Sequence, residues 1–332
     1  MKNILTADIG ATNSRFAHFE VDQNGKLSLV GTKWLKTQES ASFGSLVQQL
    51  YGSGFSLGTE GADIAIIAVA CPVEGGVYCS PPYISWDIEL SAAQKAFGLK
   101  RCLLINDFVA QAFACRSPIA EEAEQILPGQ MISDATVAVI GAGSNLGKAA
   151  LVPDGSGGFV AMPSEGGHAN FPFVSEREFE FQEFLLGELG EEYVTANTVV
   201  SGRGLSFIHR FLTGERLEPR DVTAKLSPNS ETIAWAARLC GRVCRNYALE
   251  TLALGGLYVS GGVAAKVPHL VTHEAFASEF HSSRTLSELL KKIPVYLNKN
   301  EESGLWGAAF LGLQEFQRES GQQPVKVQRK RK

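Results

Sequence analysis

Asp8 is followed by Gly10, Ala11, Thr12, Asn13 and Arg15, so residues 8–15 combine an acid, two positions with little side chain and three donors. Backbone N–H groups that no bulky side chain shields suit a phosphate, and a carboxylate beside them suits a magnesium ion. VIGAGSNLG, over 139–147, echoes that run: Gly141, Gly143, Ser144 and Asn145 repeat its order of glycine, hydroxyl and amide. Asn106 and Asp107 close the apolar run LLIND, where an acid can cap a helix or take up a proton. In MPSEGGHANF (162–171), Glu165 and His168 flank a Gly-Gly pair. Such a pair lets backbone approach a ligand, while the carboxylate and imidazole can take two neighbouring hydroxyls. Each stretch has an ordinary structural reading as a polar turn, a helix cap or a tight loop. One shared ligand accounts for all four.

The elements that must position these residues follow from periodicity. Short β-prone runs predict strands at 3–9, 14–21, 28–36, 62–70, 102–106, 136–141, 148–152, 159–162, 257–260 and 294–298. Amphipathic runs predict helices at 42–51, 89–97, 108–115, 175–189, 204–213, 229–254 and 304–318. Alternation of this kind predicts an α/β protein with mixed or parallel sheets covered by helices. DIGATNSR and VIGAGSNLG each lie between two predicted strands, so each is read as the turn of a hairpin that opens one half of the chain. Two such hairpins predict duplicated domains facing one another across a ligand cleft.

Bulk properties narrow the class. The chain has 332 residues, 45% of them hydrophobic and 20% charged, with 34 glycines, a globular α/β profile with room for two domains. A net charge of −5 argues against a nucleic-acid partner. No apolar run reaches the length of a membrane span, and Met1-Lys2-Asn3 leads straight into a predicted strand, so a cytoplasmic protein is expected. The cysteines at 71, 79, 102, 115, 240 and 244 are scattered through apolar segments and are read as reduced and buried. Cys240 with Cys244, and His269 with His273, lack companions at zinc-site spacing. The basic tail KVQRKRK (326–332) is read as a solvated end.

In order along nearly the whole chain, these motifs resemble those of bacterial glucokinases, hexokinase-type enzymes of the two-domain actin-like (ribonuclease H-like) superfold. DIGATNSR is similar to the first phosphate loop, INDFVA to the catalytic segment, GAGSNLG to the second phosphate loop and SEGGH to the sugar loop. SGRGL (201–205), VSGGV (259–263), IPVYL (293–297) and GLWGAA (304–309) follow in the family's order. The cysteine-rich zinc loop of the related repressor-and-kinase sugar family is not seen after His168. The resemblance implies an ATP-dependent hexose kinase, glucose being the default substrate, with magnesium and a homodimeric assembly. It implies Asp107 as the base for the sugar 6-hydroxyl. Asn106, Glu165, His168 and position 197 would serve as sugar contacts, and Asp8 would hold the magnesium. Gly10, Thr12, Asn13, Gly141, Gly143, Ser144, Gly261 and Gly262 would line the nucleotide. A small domain of 1–110 plus 308–332 and a large one of 111–307 are expected.

Four positions depart from the family pattern. Ala11 and Asn145 each stand where a glycine is usual, and Tyr83 where an asparagine precedes Trp86. Asn tolerates a left-handed backbone better than most residues, so the second loop can survive Asn145. Asn197 occupies the place of a glutamate that in the family binds the sugar near C1 and C2. Its shorter, neutral amide offers weaker hydrogen bonds than a carboxylate, so weaker glucose binding or tolerance at C2 is expected. The alternative function is a sugar-binding homologue with weak activity that acts as a sensor.

Overall fold

The run KNILTADI forms β1 (Lys2–Ile9), with Ile4, Leu5, Ala7 and Ile9 buried. A glycine-led turn joins it to β2 (Asn13–Val21), antiparallel, with Asp8 opposite Arg15 and Ile9 opposite Ser14. The meander continues into β3 (Leu27–Lys36), and Ser42 then starts α1 (Phe43–Gly52) with a reciprocal capping box to Ser45. The other edge of β1 pairs in parallel with β4 (Ile64–Val69). That strand is buried at every position, as a strand covered on both faces should be. A small ribbon of β5 (Tyr78–Cys79) and β6 (Ile88–Glu89) precedes β7 (Cys102–Asn106), which pairs in parallel with β4 and runs directly into α2 (Asp107–Ala114). The first sheet therefore has the order β3-β2-β1-β4-β7. The computed structural model describes residues 1–58, 61–91, 94, 98–143 and 145–321.

The second half repeats the plan. After β8 (Glu124–Leu127), β9 (Val137–Ala142) and β10 (Leu146–Pro153) form an antiparallel hairpin, and β11 (Phe159–Ser164) lies beyond β10. β9 pairs in parallel with β12 (Leu257–Ser260), and β12 in parallel with β13 (Val295–Leu297). The order β11-β10-β9-β12-β13-β8 is the order of the first sheet with one antiparallel strand added. The internal echo in the sequence is an echo of topology.

The chain divides into two compact units, one of residues 1–121, 153–163 and 302 onward, the other of 122–152 and 164–301. The first is centred on Leu5, Ile9, Phe16, Leu46, Leu50 and Ile67. The second is centred on Ile140, Phe181, Leu205, Leu239, Val259 and Phe276. Three long or central helices carry the second core: α3 (Glu176–Leu189), which stops at Gly190 with φ 65°, α4 (Glu231–Glu250), capped by Ser230, and α5 (Glu274–His281). In the first unit, α6 (Ser303–Glu319) packs backbone to backbone on α2. A Cβ added to Gly307 would stand 1.8 Å from the Ala110 carbonyl oxygen, so only glycine allows the approach that seats α2.

Most strands and helices lie within a few residues of the positions expected from periodicity; α5, the helix Pro219–Lys225 and the short elements are the difference. β5, β6 and β8 were too brief to show a period. So were the helical turns at Ala196–Val199, Gly262–Lys266, His269–Thr272 and Ser287–Leu290. Most of the helix expected at 89–97 lies outside the described residues, as does the basic tail. All six cysteines are free thiols; Cys102 and Cys240 are half-buried and the other four buried. No described helix is long and apolar enough to cross a membrane.

Candidate active site

The first hairpin turn is braced from the side. Gly10 N–H donates to the Asn13 carbonyl (3.1 Å), and Thr12 O accepts from the Thr37 amide (3.0 Å). The Thr37 hydroxyl donates to the Gly10 carbonyl (2.7 Å) and contacts Ser14 Oγ (2.8 Å). Thr37 is fully buried, and nothing in its sequence spacing connected it to the turn. The Asn13 side chain accepts from Lys36 Nζ at 3.0 Å. A β-carbon at Gly10 would come within 3.1 Å of that same Asn13 carbonyl, so glycine keeps the turn tight.

Asp8 is the penultimate residue of β1, just before this turn. Burial pushes its carboxyl above the usual aspartate range, and the Arg15 charge across the hairpin offsets only part of that. Its Oδ2 lies 3.7 Å from where a Cβ of Gly304 would stand, and Gln111 Nε2 lies 3.3 Å from the same point. Ser303 Oγ donates to Gln111 Oε1 (2.7 Å), which fixes the glutamine beside the start of α6. Asp8 thus shares its surroundings with Gln111, Ser303 and Gly304, three residues that the motifs did not single out as ligands. A half-buried carboxylate whose charge Arg15 offsets only in part fits a magnesium ion held by one protein oxygen and completed by phosphates and water. Among the described residues no three His, Cys, Asp or Glu side chains gather as a metal cage, and that mode of binding needs none.

Asn106 and Asp107 straddle the β7–α2 junction. Asn106 caps α2, its Oδ1 accepting from the Phe108 amide (2.8 Å) while its Nδ2 donates to the Cys71 carbonyl (3.2 Å). Asp107 is the first helical residue, and its Oδ1 also accepts from Phe108 N–H, at 2.9 Å. The capping work expected of an acid here is therefore done by Asn106.

In the second unit the loops converge on the first residue of β10. The β9–β10 turn closes with Gly143 N–H donating to the Asn145 carbonyl (2.9 Å). Leu252 is the one non-glycine residue with positive φ among those described, so Asn145 fits without a left-handed backbone. Ser144 lies outside the described residues. Gly261, with φ 92°, sits against β9, where a Cβ would be 2.6 Å from the Ala142 carbonyl; Gly262 follows as the first residue of a short helix. Ser260 is paired with Gly141, so the Gly141–Gly143 and Gly261–Gly262 segments leave adjacent strand ends together.

Glu165 and His168 stand on a 3-10 turn, Gly166–His168, closed by His168 N–H donating to the Glu165 carbonyl (2.9 Å). Gly167 passes over β10 so closely that a Cβ would be 2.1 Å from the Leu146 carbonyl oxygen. The amide of the same Leu146 donates to Asn197 Oδ1. Asn197 Nδ2 is 3.3 Å from His168 Nε2, and Glu165 Oε2 is 4.0 Å from that nitrogen. The structure brings Glu165, His168 and Asn197 into one cluster and ties it through Leu146 to the glycine turn. Lys148, two residues on, is only 6% exposed, with Nζ 5.2 Å from the centre of the Tyr247 ring. Burial pulls its pKa down, partly countered by Glu250 and Cys244. Sequence spacing gave no sign that this lysine reaches the Glu165–His168 loop. Tyr83 is 66% exposed, whereas Trp86 is buried and donates to the Ser40 carbonyl (2.8 Å).

Two units built on one strand order, each with a glycine turn on its first hairpin, define a two-domain α/β protein of the actin-like fold. The chain matches the Glucokinase family model over residues 5–315 and belongs to that family. It is 32% identical over 317 residues to a glucokinase of Yersinia enterocolitica, covering 92% of this chain and 94% of that protein. Its fold is similar to that of a glucokinase from an Antarctic psychrotroph (TM-score 0.81, 24% identity, 94% of this chain and 98% of the other). It is also similar to a Streptomyces griseus ROK family glucokinase solved with glucose and AMPPNP (TM-score 0.61, 18% identity, 93% and 98%).

Proposed function

We propose that the protein is an ATP-dependent glucokinase that transfers the γ-phosphate to the 6-hydroxyl of glucose. The observation that carries this reading is the cluster of Glu165, His168 and Asn197 joined to a glycine turn through Leu146, in a chain of the glucokinase family. The printed ligands of the Streptomyces griseus relative, glucose and an ATP analogue, support the same pairing of substrates. Phosphoryl transfer asks mainly for positioning and charge neutralisation, so sparse machinery suffices. Asp107 takes the proton from the attacking hydroxyl. Glu165, His168 and Asn197 serve as sugar contacts, and Asn106 sets the Asp107 backbone. Thr12, Gly141, Gly143, Gly261 and Gly262 offer unshielded backbone to phosphates, with Gly10 and Asn13 shaping the first turn. Asp8 would hold magnesium, directly or through water, and the ion would neutralise phosphate charge. A homodimer and a cytoplasmic location complete the reading.

A coupled ADP-release assay across glucose, mannose, glucosamine and N-acetylglucosamine tests it. Glucose should give the highest kcat/KM. Sugar binding without turnover of any of the four would instead mark a sensor.

Asp8→Ala should raise the magnesium concentration needed for half-maximal rate by roughly 10–100-fold, the usual cost of losing a metal-supporting group. Thermal stability should stay near that of the parent, because burial already disfavours the Asp8 charge. Unchanged magnesium dependence would return residues 8–13 to the role of a polar turn.

A further inference from the structure

Asn197 has no freedom in the direction its amide faces. The Leu146 backbone N–H points at its Oδ1, and a flipped amide would set an NH2 group against that donor. With Oδ1 committed, the group 3.3 Å from His168 Nε2 is the Nδ2 donor. Two donors cannot share that contact, so Nε2 must be the unprotonated nitrogen. The steric frame holds the arrangement in place. Asn197 Oδ1 lies 3.1 Å from where a Gly167 Cβ would stand, and Gly167 itself rests on the Leu146 carbonyl.

We infer that Asn197 is a positioning residue that holds the His168 imidazole as its Nδ1–H tautomer, so that His168 meets a sugar as a hydrogen-bond donor only. The second clause rests on the proposed function; the first does not. The charged neighbours are Glu165, with Oε2 4.0 Å from Nε2, and Lys148, with Nζ 3.5 Å from where a Gly166 Cβ would stand. Glu165 alone would draw a proton to Nε2, and the closer Asn197 amide opposes it. Nδ1 has no hydrogen-bond partner among the described residues, and the His168 side chain is 63% exposed. The loop therefore offers one acceptor, the Glu165 carboxylate, and one donor, His168 Nδ1–H. A hydroxyl can serve either group, as donor to Glu165 or as acceptor from His168. A protonated amine in that place can satisfy only Glu165 and meets His168 donor to donor.

The test is imidazole nitrogen NMR on the full chain without ligand, at pH ~8.5, above the ordinary histidine range. The His168 signals are assigned by their loss in His168→Gln. The native protein should show a protonated Nδ1 and an unprotonated Nε2. In the near-isosteric Asn197→Asp, a carboxylate accepts from both Leu146 N–H and the ring, so a proton should appear on Nε2. The same variant should raise the glucose KM by about tenfold, the scale of one hydrogen bond, with kcat within about twofold. A native Nε2–H, or an unchanged tautomer in Asn197→Asp, overturns the inference. The native spectrum alone decides the matter if that variant does not fold. The expected tautomers in a protein that phosphorylates no sugar would overturn the proposed function and leave this assignment standing.

Discussion

Asp107→Asn should lower turnover by about 10²–10⁴-fold, the usual worth of a general base, with glucose affinity close to that of the parent. Asparagine keeps the shape of the side chain and its Oδ1 can still accept from Phe108 N–H, but an amide cannot take the hydroxyl proton. The competing role for Asp107 is a helix cap. Asn106 already caps α2 by accepting from the same amide at 2.8 Å, so the cap role predicts little change in anything. Steady-state kinetics with the ADP-coupled assay, together with glucose titration by calorimetry, separates the two. Wild-type turnover in Asp107→Asn would leave the residue a redundant cap. A parallel collapse of glucose affinity would mean the carboxylate holds the sugar rather than deprotonating it.

The parts of the fold legible in the sequence are those set by local pattern. ILTADI and RFAHFEV alternate or run apolar on either side of a glycine-led turn, and a hairpin is the local solution; the same holds around GAGSNLG. The repeat of turn chemistry is matched by a repeat of strand order. Contacts distant in sequence were not legible. Thr37 reaches Gly10, Ser303 reaches Gln111, and Asn197 reaches Leu146. None of these pairs has a periodicity, since each joins residues that lie far apart along the chain. Lys148 was hidden for a related reason. In a strand that otherwise buries small apolar residues, a lysine reads as the exposed face, and here a tyrosine ring covers it. Asn197 shows both sides: its departure from the family pattern was visible, while its bond to Leu146 depends on a fold that brings residues 146 and 197 together.

Arg242→Ala should destabilise the second unit by about 3–5 kcal/mol, the cost of stranding a buried charge. Arg242 is 1% exposed and lies at the centre of three helices. From α4 it grips Glu178 of α3 in a two-pronged contact, and its Nε donates to Glu279 of α5 at 2.8 Å. It also donates to the Pro172 carbonyl (3.0 Å), just beyond the Glu165–His168 turn, so the same side chain anchors the end of that loop. Burial alone would raise the Glu178 carboxyl; the Arg242 bonds, the Val174 amide and the charges of Arg242 and Arg238 outweigh it and hold the folded-state value below the ordinary 4.5. A depressed carboxylate stabilises the fold above its unfolded value and loses that contribution as pH falls through the lower folded one. Acid should therefore weaken the parent below about pH 4.5, and that part of the slope should shrink in Glu178→Gln. Urea unfolding at pH 7 and at pH 4 reads both effects. Arg242→Met with Glu178→Leu, which removes both charges, should recover much of the loss, since an apolar pair of similar volume often serves as well as a buried ion pair. If Arg242→Ala unfolds at the parent's urea midpoint, the network only decorates a core held by Phe181, Leu239 and Phe276, and the Glu165–His168 loop keeps its place without it.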